Sequence, residues 1–251
     1  GVGIGTTMAL NGAAAHAVCH ILYKALLFMG AGAVIQTTGR EKVTELGGFW
    51  RRQKLILGLY MIGAFSISGF PLWNGFISKS MVVSAAGAVH WDWAFLLLML
   101  ASVGTFLSIG LKLPYGTWFG EDRGIRPQRA PVNMIVAMAV GAFLCTLLGL
   151  APGLLYRDLP YAVHWEPYTA PHVIEAVQLL LFTSFAFWVL VPMLHGKNAI
   201  SVDTDVVYRK SAGWMRAVFV TAVGRCFDAS EEAVRGLARW VLGSLENPRR
   251  L

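Results

Sequence analysis

The sequence carries little charge for its length. Asp, Glu, Lys and Arg make up 14% of its 251 residues, whereas soluble proteins average about 25%. Hydrophobic residues make up 56%, and the mean hydropathy is +0.57. The apolar runs are too long and too numerous for a soluble core. Composition therefore argues against a soluble basic protein and predicts an integral membrane protein.

The sequence also lacks the alternating segments of about ten residues that are typical of a membrane β-barrel. Only helices and closed barrels satisfy every backbone polar group within lipid. We therefore expect an all-α, polytopic helical bundle. Six hydrophobic segments are predicted, at residues 8–35, 55–68, 76–89, 93–119, 132–150 and 173–194. They make residues 1–196 a membrane domain and residues 197–251 a separate tail.

Cysteine is scarce, and its spacing excludes a metal site of the usual kinds. The three cysteines, Cys19, Cys145 and Cys226, are far apart and read as packing residues. No quinone, flavin or iron–sulfur motif is present, so we expect no cofactor and no active-site chemistry in this chain.

The net charge of +7 comes from Lys and Arg in short loops and in the tail. This distribution is typical of the segments that flank membrane spans, so we expect no nucleic-acid binding.

A Gly- and Pro-rich stretch, residues 69–75, separates two apolar pieces of about fifteen residues. Each piece is shorter than the roughly twenty residues that cross a bilayer. Short pieces on either side of such a break predict a discontinuous helix, which often marks an ion site in transporters. Lys79 follows the break, where unwound carbonyls could accept from its ammonium group. The alternative is a lysine at headgroup level.

His16, His20 and Lys24 are spaced four residues apart within the first apolar segment. They therefore share one helix face, about 6 Å apart along the axis. Ionisable groups at membrane depth cost at least a few kcal/mol, so the row predicts a proton relay. The alternatives are histidines that only hydrogen-bond across helices and a lysine that extends to the interface. A zinc site at the two histidines lacks further ligands nearby.

Lys112 is the fifth candidate for proton transfer. It precedes Pro114 and lies close to Glu121 and Asp122, so extension to the interface and a role in proton transfer are equally compatible with its position. The histidines at the edges of loops are expected to be solvated. These are His90, His164 and His172.

The tail has no segment of spanning length. Val234, Leu237, Val241 and Leu245 recur at helical spacing between charged residues, which predicts an amphipathic helix at the membrane surface or against a partner. If the six segments cross alternately, six Lys and Arg residues collect on one side and twelve on the other, with the tail. The tail is then cytoplasmic.

Three motifs follow one another in a fixed order: His16-x3-His20-x3-Lys24-Ala-Leu-Leu-Phe, Leu46-Gly-Gly-Phe-Trp, and Ser66-Ile-Ser-Gly-Phe-Pro71 with Gly75-Phe-Ile-Ser-Lys79. A further pair of motifs is Gly110-Leu-Lys-Leu-Pro-Tyr115 and Asp203-Thr-Asp-Val-Val-Tyr-Arg209. The three motifs resemble the second half of the proton-translocating subunits of Mrp-type cation/proton antiporters and of the membrane arm of respiratory complex I. The further pair resembles the D branch of the Mrp proteins.

The resemblance implies an antiporter-like fold with inverted repeats and a role in proton translocation. Lys24 would be the lysine of a central polar axis, with His16 and His20 as relay neighbours, and Lys79 the terminal lysine of a half-channel. The partners would be other hydrophobic subunits and the lipid bilayer, and the ions protons with Na⁺ or K⁺ as candidates. The location would be the cell inner membrane or another energy-transducing membrane.

Two further expectations concern the assembly. The chain starts at Gly1 with no initiator Met, and the family's first half-channel is not within it, so we expect a C-terminal part of a longer protein. The alternative function is a membrane scaffold without transport, which would anchor a soluble enzyme such as a hydrogenase or a carbon-uptake module.

Overall fold

The computed structural model describes residues 1–194 and 205–246, and all regular elements among these residues are helical. The chain divides into two compact units, Gly1–Lys197 and Asn198–Leu251, which are described separately. The predicted boundary at residues 196 and 197 and the start of the Asp203 motif lie outside the described residues. The prediction of an all-α membrane bundle is confirmed.

The first unit contains seven α-helices within residues 1–194. The helix α1 starts after Thr6, whose hydroxyl oxygen accepts from the Ala9 amide, and ends at Gly39 in the left-handed conformation. The bounds are α1 Thr7–Thr38, α2 Lys54–Ser68, α3 Asn74–Ala88, α4 Asp92–Phe119, α5 Val132–Leu150, α6 Gly153–Tyr156 and α7 Ala170–Leu194. The six predicted hydrophobic segments therefore correspond to six of these helices.

Four helices of this unit, α1, α4, α5 and α7, are long and apolar enough to cross a membrane. Phe106–Lys112 and Tyr115–Phe119 within α4 form wider, π-helical turns. Such turns leave carbonyls out of the regular helical pattern and are frequent at functional sites. One of these carbonyls, on Ile109, accepts from the Tyr60 hydroxyl at 3.5 Å.

The short helices α2 and α3 run one after the other along α1, in the opposite direction. Gly30 of α1 packs on Tyr60 of α2, whereas Gly12, nearer the start of α1, packs on Val82 of α3. The order of contacts along α1 is thus the reverse of their order along α2 and α3. Together these helices form a single discontinuous crossing, as the Gly- and Pro-rich break predicts.

This pairing corrects the predicted distribution of charge. The loops at 39–53 and 120–131 lie at the same end of the unit, because the Gln128 amide donates to the Thr37 carbonyl at 2.8 Å and Arg52 donates to the Ile125 carbonyl. The prediction that put these loops on opposite sides was wrong, since it counted α2 and α3 as two crossings. We call this end the basic end.

The segment between α5 and α7 closes the opposite end of the unit. The Asn11 side chain donates to the Tyr161 carbonyl at 2.9 Å, and its oxygen accepts from the Tyr161 backbone amide at 3.0 Å. The side-chain amide therefore forms the same two hydrogen bonds that a backbone peptide group would form. The Tyr156 hydroxyl donates to the Ile77 carbonyl at 2.9 Å. Burial raises the pKa of Tyr156, so the hydroxyl stays a donor. The Asn11 bonds thus hold the segment to α1, and the Tyr156 bond holds it to the start of α3, two residues before Lys79.

The second unit, as far as it is described, is helical from Asp205 to Glu246. The helix α8 Asp205–Met215 continues through a π-helical stretch into α9 Val223–Glu246. In α9 the Arg235 guanidinium pairs with Glu231 one turn earlier. Val234 and Leu237 are exposed within this unit, as in an amphipathic helix. Its attachment to a membrane surface or a partner stays a prediction.

Candidate functional site

The break between α2 and α3 is built from residues that cannot continue a helix. The helix α2 stops at Gly69, whose φ of 79° is left-handed and favours glycine. In a continuous helix the Ile67 carbonyl would accept from the amide of residue 71, but that residue is Pro71, which has none. Leu72 also has a left-handed φ of 80°, which is strained for a residue with a side chain. The last carbonyls of α2 therefore lack helical partners.

Lys79 supplies the missing donor. Its Nζ donates to the Ile67 carbonyl at 3.2 Å and to the Ser68 carbonyl at 3.4 Å. The carbonyl end of a helix also attracts a cation through the helix dipole. Lys79 is one turn into α3 and half-buried, so the break holds an ammonium group inside the bundle. The side chain does not extend to an interface, which was the alternative interpretation.

A buried polar clasp holds the two short helices together beside the break. The Ser66 hydroxyl donates to the Asn74 side-chain oxygen, and the Gly75 amide donates to the Ser66 hydroxyl oxygen at 3.3 Å. The Asn74 amide group reaches the Cys19 carbonyl of α1 at 3.5 Å. Ser66 and Asn74 are both fully buried. Because α3 has no side-chain cap of its own, Ser66 caps it from the neighbouring helix.

His16 connects α1 to the turn of α3 that carries Lys79. Its Nδ1 lies 3.1 Å from the Ser78 hydroxyl, and its Nε2 lies 3.4 Å from the Tyr23 hydroxyl. The Ser78 hydroxyl is also within reach of the Asn74 and Gly75 carbonyls. A neutral imidazole donates from one nitrogen and accepts at the other, and both neighbours are hydroxyls that can do either. Each tautomer of His16 is therefore satisfied, which is what a proton relay needs.

His20 and Lys24 lie on the outer face of α1. The His20 side chain is exposed, and its ring lies 6.0 Å from that of His16 and 5.3 Å from that of Tyr23. Lys24 is half-buried, and its Nζ lies 6.0 Å above the exposed ring of Phe28. Among the described residues, no carboxylate lies within ion-pair distance of Lys24 or Lys79.

A cavity of about 630 Å³ brings three of the predicted residues together. His16, His20 and Lys79 all line it, with residues of α4 opposite. Lys24 is not among its lining residues, and it follows His20 by one turn of α1. Lys112 is exposed and lines a different cavity, of about 260 Å³, at the basic end. The structure thus brings three of the five candidates to one cavity, with Lys24 one helical turn from His20 and Lys112 separate.

The sequence-based reasoning missed two partners in this group. Tyr23 follows His16 by seven residues, which is two helical turns, so its place on the same face could have been found. Ser78 precedes Lys79, but only the packing of α1 on α3 brings it to His16. No group of three or more metal-ligating side chains occurs among the described residues.

The Ser78 hydroxyl offers a direct test of the predicted proton relay. We expect Ser78→Ala to lower proton flux about fivefold to tenfold, the loss that corresponds to one hydrogen bond of about 1 kcal/mol. Thr146→Val is the matched control, because the Thr146 hydroxyl bonds only to its own helix at the Ala142 carbonyl. Proton flux into vesicles that contain the assembled protein is the measurement. Equal flux in the two variants would exclude Ser78 from the relay.

The comparisons with known proteins agree with this fold. Residues 1–108 match the family described as the transmembrane part of NADH:quinone oxidoreductase and Mrp antiporters. Hydrogenase-4 component B of Escherichia coli is 31% identical over 183 residues, which are 68% of this chain and 27% of that protein. The A-type subunit of the Na(+)/H(+) antiporter of Alkalihalophilus pseudofirmus is 29% identical over 237 residues, 85% of this chain and 28% of that one.

A solved structure, that of the Mrp complex from Dietzia sp. DQ12-45-1b, superposes with a TM-score of 0.56 at 19% identity. The match covers 61% of this chain and 36% of that one. The chain spans about a quarter of the length of the curated relatives it matches. Residues 1–108 thus match the NADH:quinone oxidoreductase and Mrp antiporter family, and the chain has the membrane fold of antiporter-like subunits.

Proposed function

We propose that the chain moves protons across a membrane as part of a larger antiporter-like or complex I-like assembly. The observation that carries this proposal is the cavity of about 630 Å³ that His16, His20 and Lys79 line together. Titratable groups at membrane depth are costly to keep, and three of them around one cavity indicate a proton pathway.

Each group has a definite part in the pathway. Lys79 gains and loses a proton at Nζ, which donates hydrogen bonds to the two carbonyls at the end of α2. Water in the cavity links Lys79 to the imidazoles of His16 and His20. Lys24 continues the row one helical turn beyond His20, about 6 Å further along α1. Lys112 would act at a separate opening on the basic end.

The position of Lys24 supports the proposal that further helices complete the site. A half-buried lysine in the middle of a spanning helix would otherwise face lipid, at a cost of at least a few kcal/mol. His20 and Lys24 share the open face of α1, so the further helices would cover that face. They would come from the rest of a longer protein or from a separate hydrophobic subunit. Na⁺ exchange, K⁺ exchange and redox chemistry are the candidate driving reactions.

The distribution of Lys and Arg supports one orientation of the first unit in the membrane. Eight Lys and Arg residues lie in or beside the two loops of the basic end, whereas the segment between α5 and α7 has Arg157 alone. The positive-inside rule then makes the basic end cytoplasmic. The helix α7 finishes at this end, since Val191 shares the cavity of Glu121, so the chain leaves the first unit on the cytoplasmic side. Assignment to the D branch of the Mrp proteins and to an inner membrane is also part of the proposal.

The second candidate is a scaffold that has kept the fold without transport. The similarity to a hydrogenase component favours it. The two candidates predict opposite results when the lysines are removed, because a scaffold does not use their charge.

The test is proton flux in vesicles that contain the whole assembly with Lys24→Ala in this chain. We expect about a tenfold or larger loss, as for other positioned acid–base groups. Lys42→Ala is the matched control, since Lys42 is exposed in a loop. Normal assembly with unchanged flux, both for Lys24→Ala and for Lys79→Ala, would favour the scaffold.

A further inference from the structure

Lys79 also borders a second, smaller cavity, which His16 does not line. This cavity has a volume of about 60 Å³ and is lined by Ser84 of α3 and by His172 and Glu175 of α7. Three residues line both cavities, namely Lys79, Val83 and Ser102. Lys79 is thus the titratable group at the boundary between them. About two water molecules, at about 30 Å³ each, fit into the smaller cavity.

Glu175 is the one carboxylate within the hydrophobic segment predicted at residues 173–194. It lies in the second turn of α7, which is long and apolar enough to span the membrane, and it is half-buried. A carboxylate in the first turn of a helix is explained by the helix dipole. Glu175 is beyond that turn, and its side chain lines a cavity together with an ammonium group.

His172 extends this polar side of α7 to the edge of the unit. Its Nδ1 lies 3.2 Å from the Glu166 carbonyl oxygen, which can only accept, so the hydrogen of the neutral ring is on Nδ1. Its Nε2 is then the basic atom, and it lies 3.5 Å from the Ser84 hydroxyl that lines the cavity. The sequence predicts a solvated His172, but the ring is half-buried and packs on Trp165, with centroids 5.2 Å apart.

We propose that Ser84, His172 and Glu175 form a proton connection between Lys79 and the membrane end at which α7 begins. This inference rests on the proposed function. A proton leaves the Lys79 ammonium for cavity water, and the water passes a proton to the Glu175 carboxylate, which leaves a neutral amine and a neutral carboxyl group. The Glu175 carboxyl group then passes this proton through cavity water and the Ser84 hydroxyl to His172 Nε2, which restores the carboxylate. The imidazolium gives its Nδ1 proton to water at the exposed segment that carries Glu166, which leaves a neutral imidazole.

The connection runs in either direction, since each step is a reversible proton transfer. It opens at the end opposite to the basic end, because α7 begins there. The last turns of α7 reach the basic end, where Val191 lines a cavity together with Glu121. Lys79 would then exchange protons with one side of the membrane through α7 and with the row on α1 through the larger cavity. This makes Lys79 the junction of the two paths.

The first test measures proton flux with the assembled protein in vesicles. We expect Glu175→Gln and His172→Gln each to lower flux about tenfold or more. We expect Glu175→Asp, which keeps the carboxylate, to retain more flux than Glu175→Gln. Asp158→Asn is the matched control, because Asp158 is an exposed carboxylate at the same end, beside Arg157. Flux equal to that of the control in both variants would overturn the proposed connection.

The second test measures access and does not depend on transport. In an assembly whose chain carries Cys226→Ser, Ser84→Cys is treated with a membrane-impermeant thiol reagent from each side in turn. We expect reaction from the side of the α5–α7 segment alone, and reaction from the basic end alone, or none, would overturn the connection. If Lys79→Ala leaves flux unchanged, the proposed function fails, and the labelling result still decides whether water reaches this cavity.

Discussion

Replacing Lys79 with alanine is expected to lower proton flux through the assembled protein by about 100-fold or more. Lys79 is the only residue with a titratable side chain that lines both cavities in the described part of the first unit, so its loss interrupts both paths. Alanine also leaves the Ile67 and Ser68 carbonyls without the donor that now satisfies them. The measurement is the rate of proton uptake by vesicles after a pH gradient is imposed.

Lys79→Arg separates the charge of Lys79 from its ability to release a proton. Arginine can donate to the same two carbonyls, but it stays protonated at any pH of interest. We therefore expect Lys79→Arg to assemble normally and still to lose most of the flux, whereas Lys42→Ala keeps it. If Lys79→Arg transported normally, Lys79 would act as a fixed charge, and the proposed proton exchange at its Nζ would be wrong.

Gly75→Ala is expected to destabilise the protein by at least about 3 kcal/mol, the upper range for overpacking of a dense core. A Cβ atom at Gly75 would lie 1.7 Å from the Ser66 carbonyl oxygen and 2.6 Å from its carbon. Both are backbone atoms, so no side-chain rotation relieves the clash. The start of α3 would have to move away from α2, and the clasp of Ser66 and Asn74 would break with it.

Gly58→Ala is the control for this prediction. Gly58 lies in α2, and a Cβ atom there would meet nothing within 4 Å. Because alanine favours a helix more than glycine does, we expect this variant to be as stable as the parent or slightly more stable. Thermal unfolding in detergent, with the yield of assembled protein, is the measurement. Equal stability of the two variants would contradict the close approach of the two helices at Gly75.

The break therefore combines structure with chemistry. Pro71 and Gly69 end α2 and free its carbonyls, while Gly75 lets α3 start in contact with α2. The result is a pair of carbonyl oxygens that point at an ammonium group within the bundle. Irregular backbone at membrane depth is tolerated where protein or a water-filled cavity surrounds it. Beside Lys79 the break is bordered by packed helices and by the two cavities.

The helices and the break could be predicted from the sequence, because length and polarity alone decide what spans a bilayer. The number of crossings could not be predicted. Two apolar pieces of fifteen residues each fit two short crossings as well as one interrupted crossing. Only the contacts of α1 with both pieces, from Tyr60 to Val82, decide for one crossing, and with it the positions of the charged loops.

The residues of the candidate site also fall into two groups, those that the sequence selects and those that only the packing brings to the site. His16, His20 and Lys24 are close in sequence, and Lys79 follows a visible break, so helical periodicity and backbone chemistry were enough to select them. Ser78, His172 and Glu175 have no such local signal. His172 is 88 residues from its Ser84 partner, and a histidine before an apolar run looks like a solvated one until the helix α7 is packed.

The sequence by itself thus determined an all-α membrane protein, a discontinuous helix and the titratable residues near it. Those properties follow from local causes, namely the cost of charge in lipid and the missing amide of proline. The tertiary structure alone decided that Lys79 binds the last two carbonyls of α2, that two cavities meet at this side chain, and that both charged loops lie at one end of the unit. These depend on contacts between distant segments, which packing of the whole unit sets and no local pattern encodes.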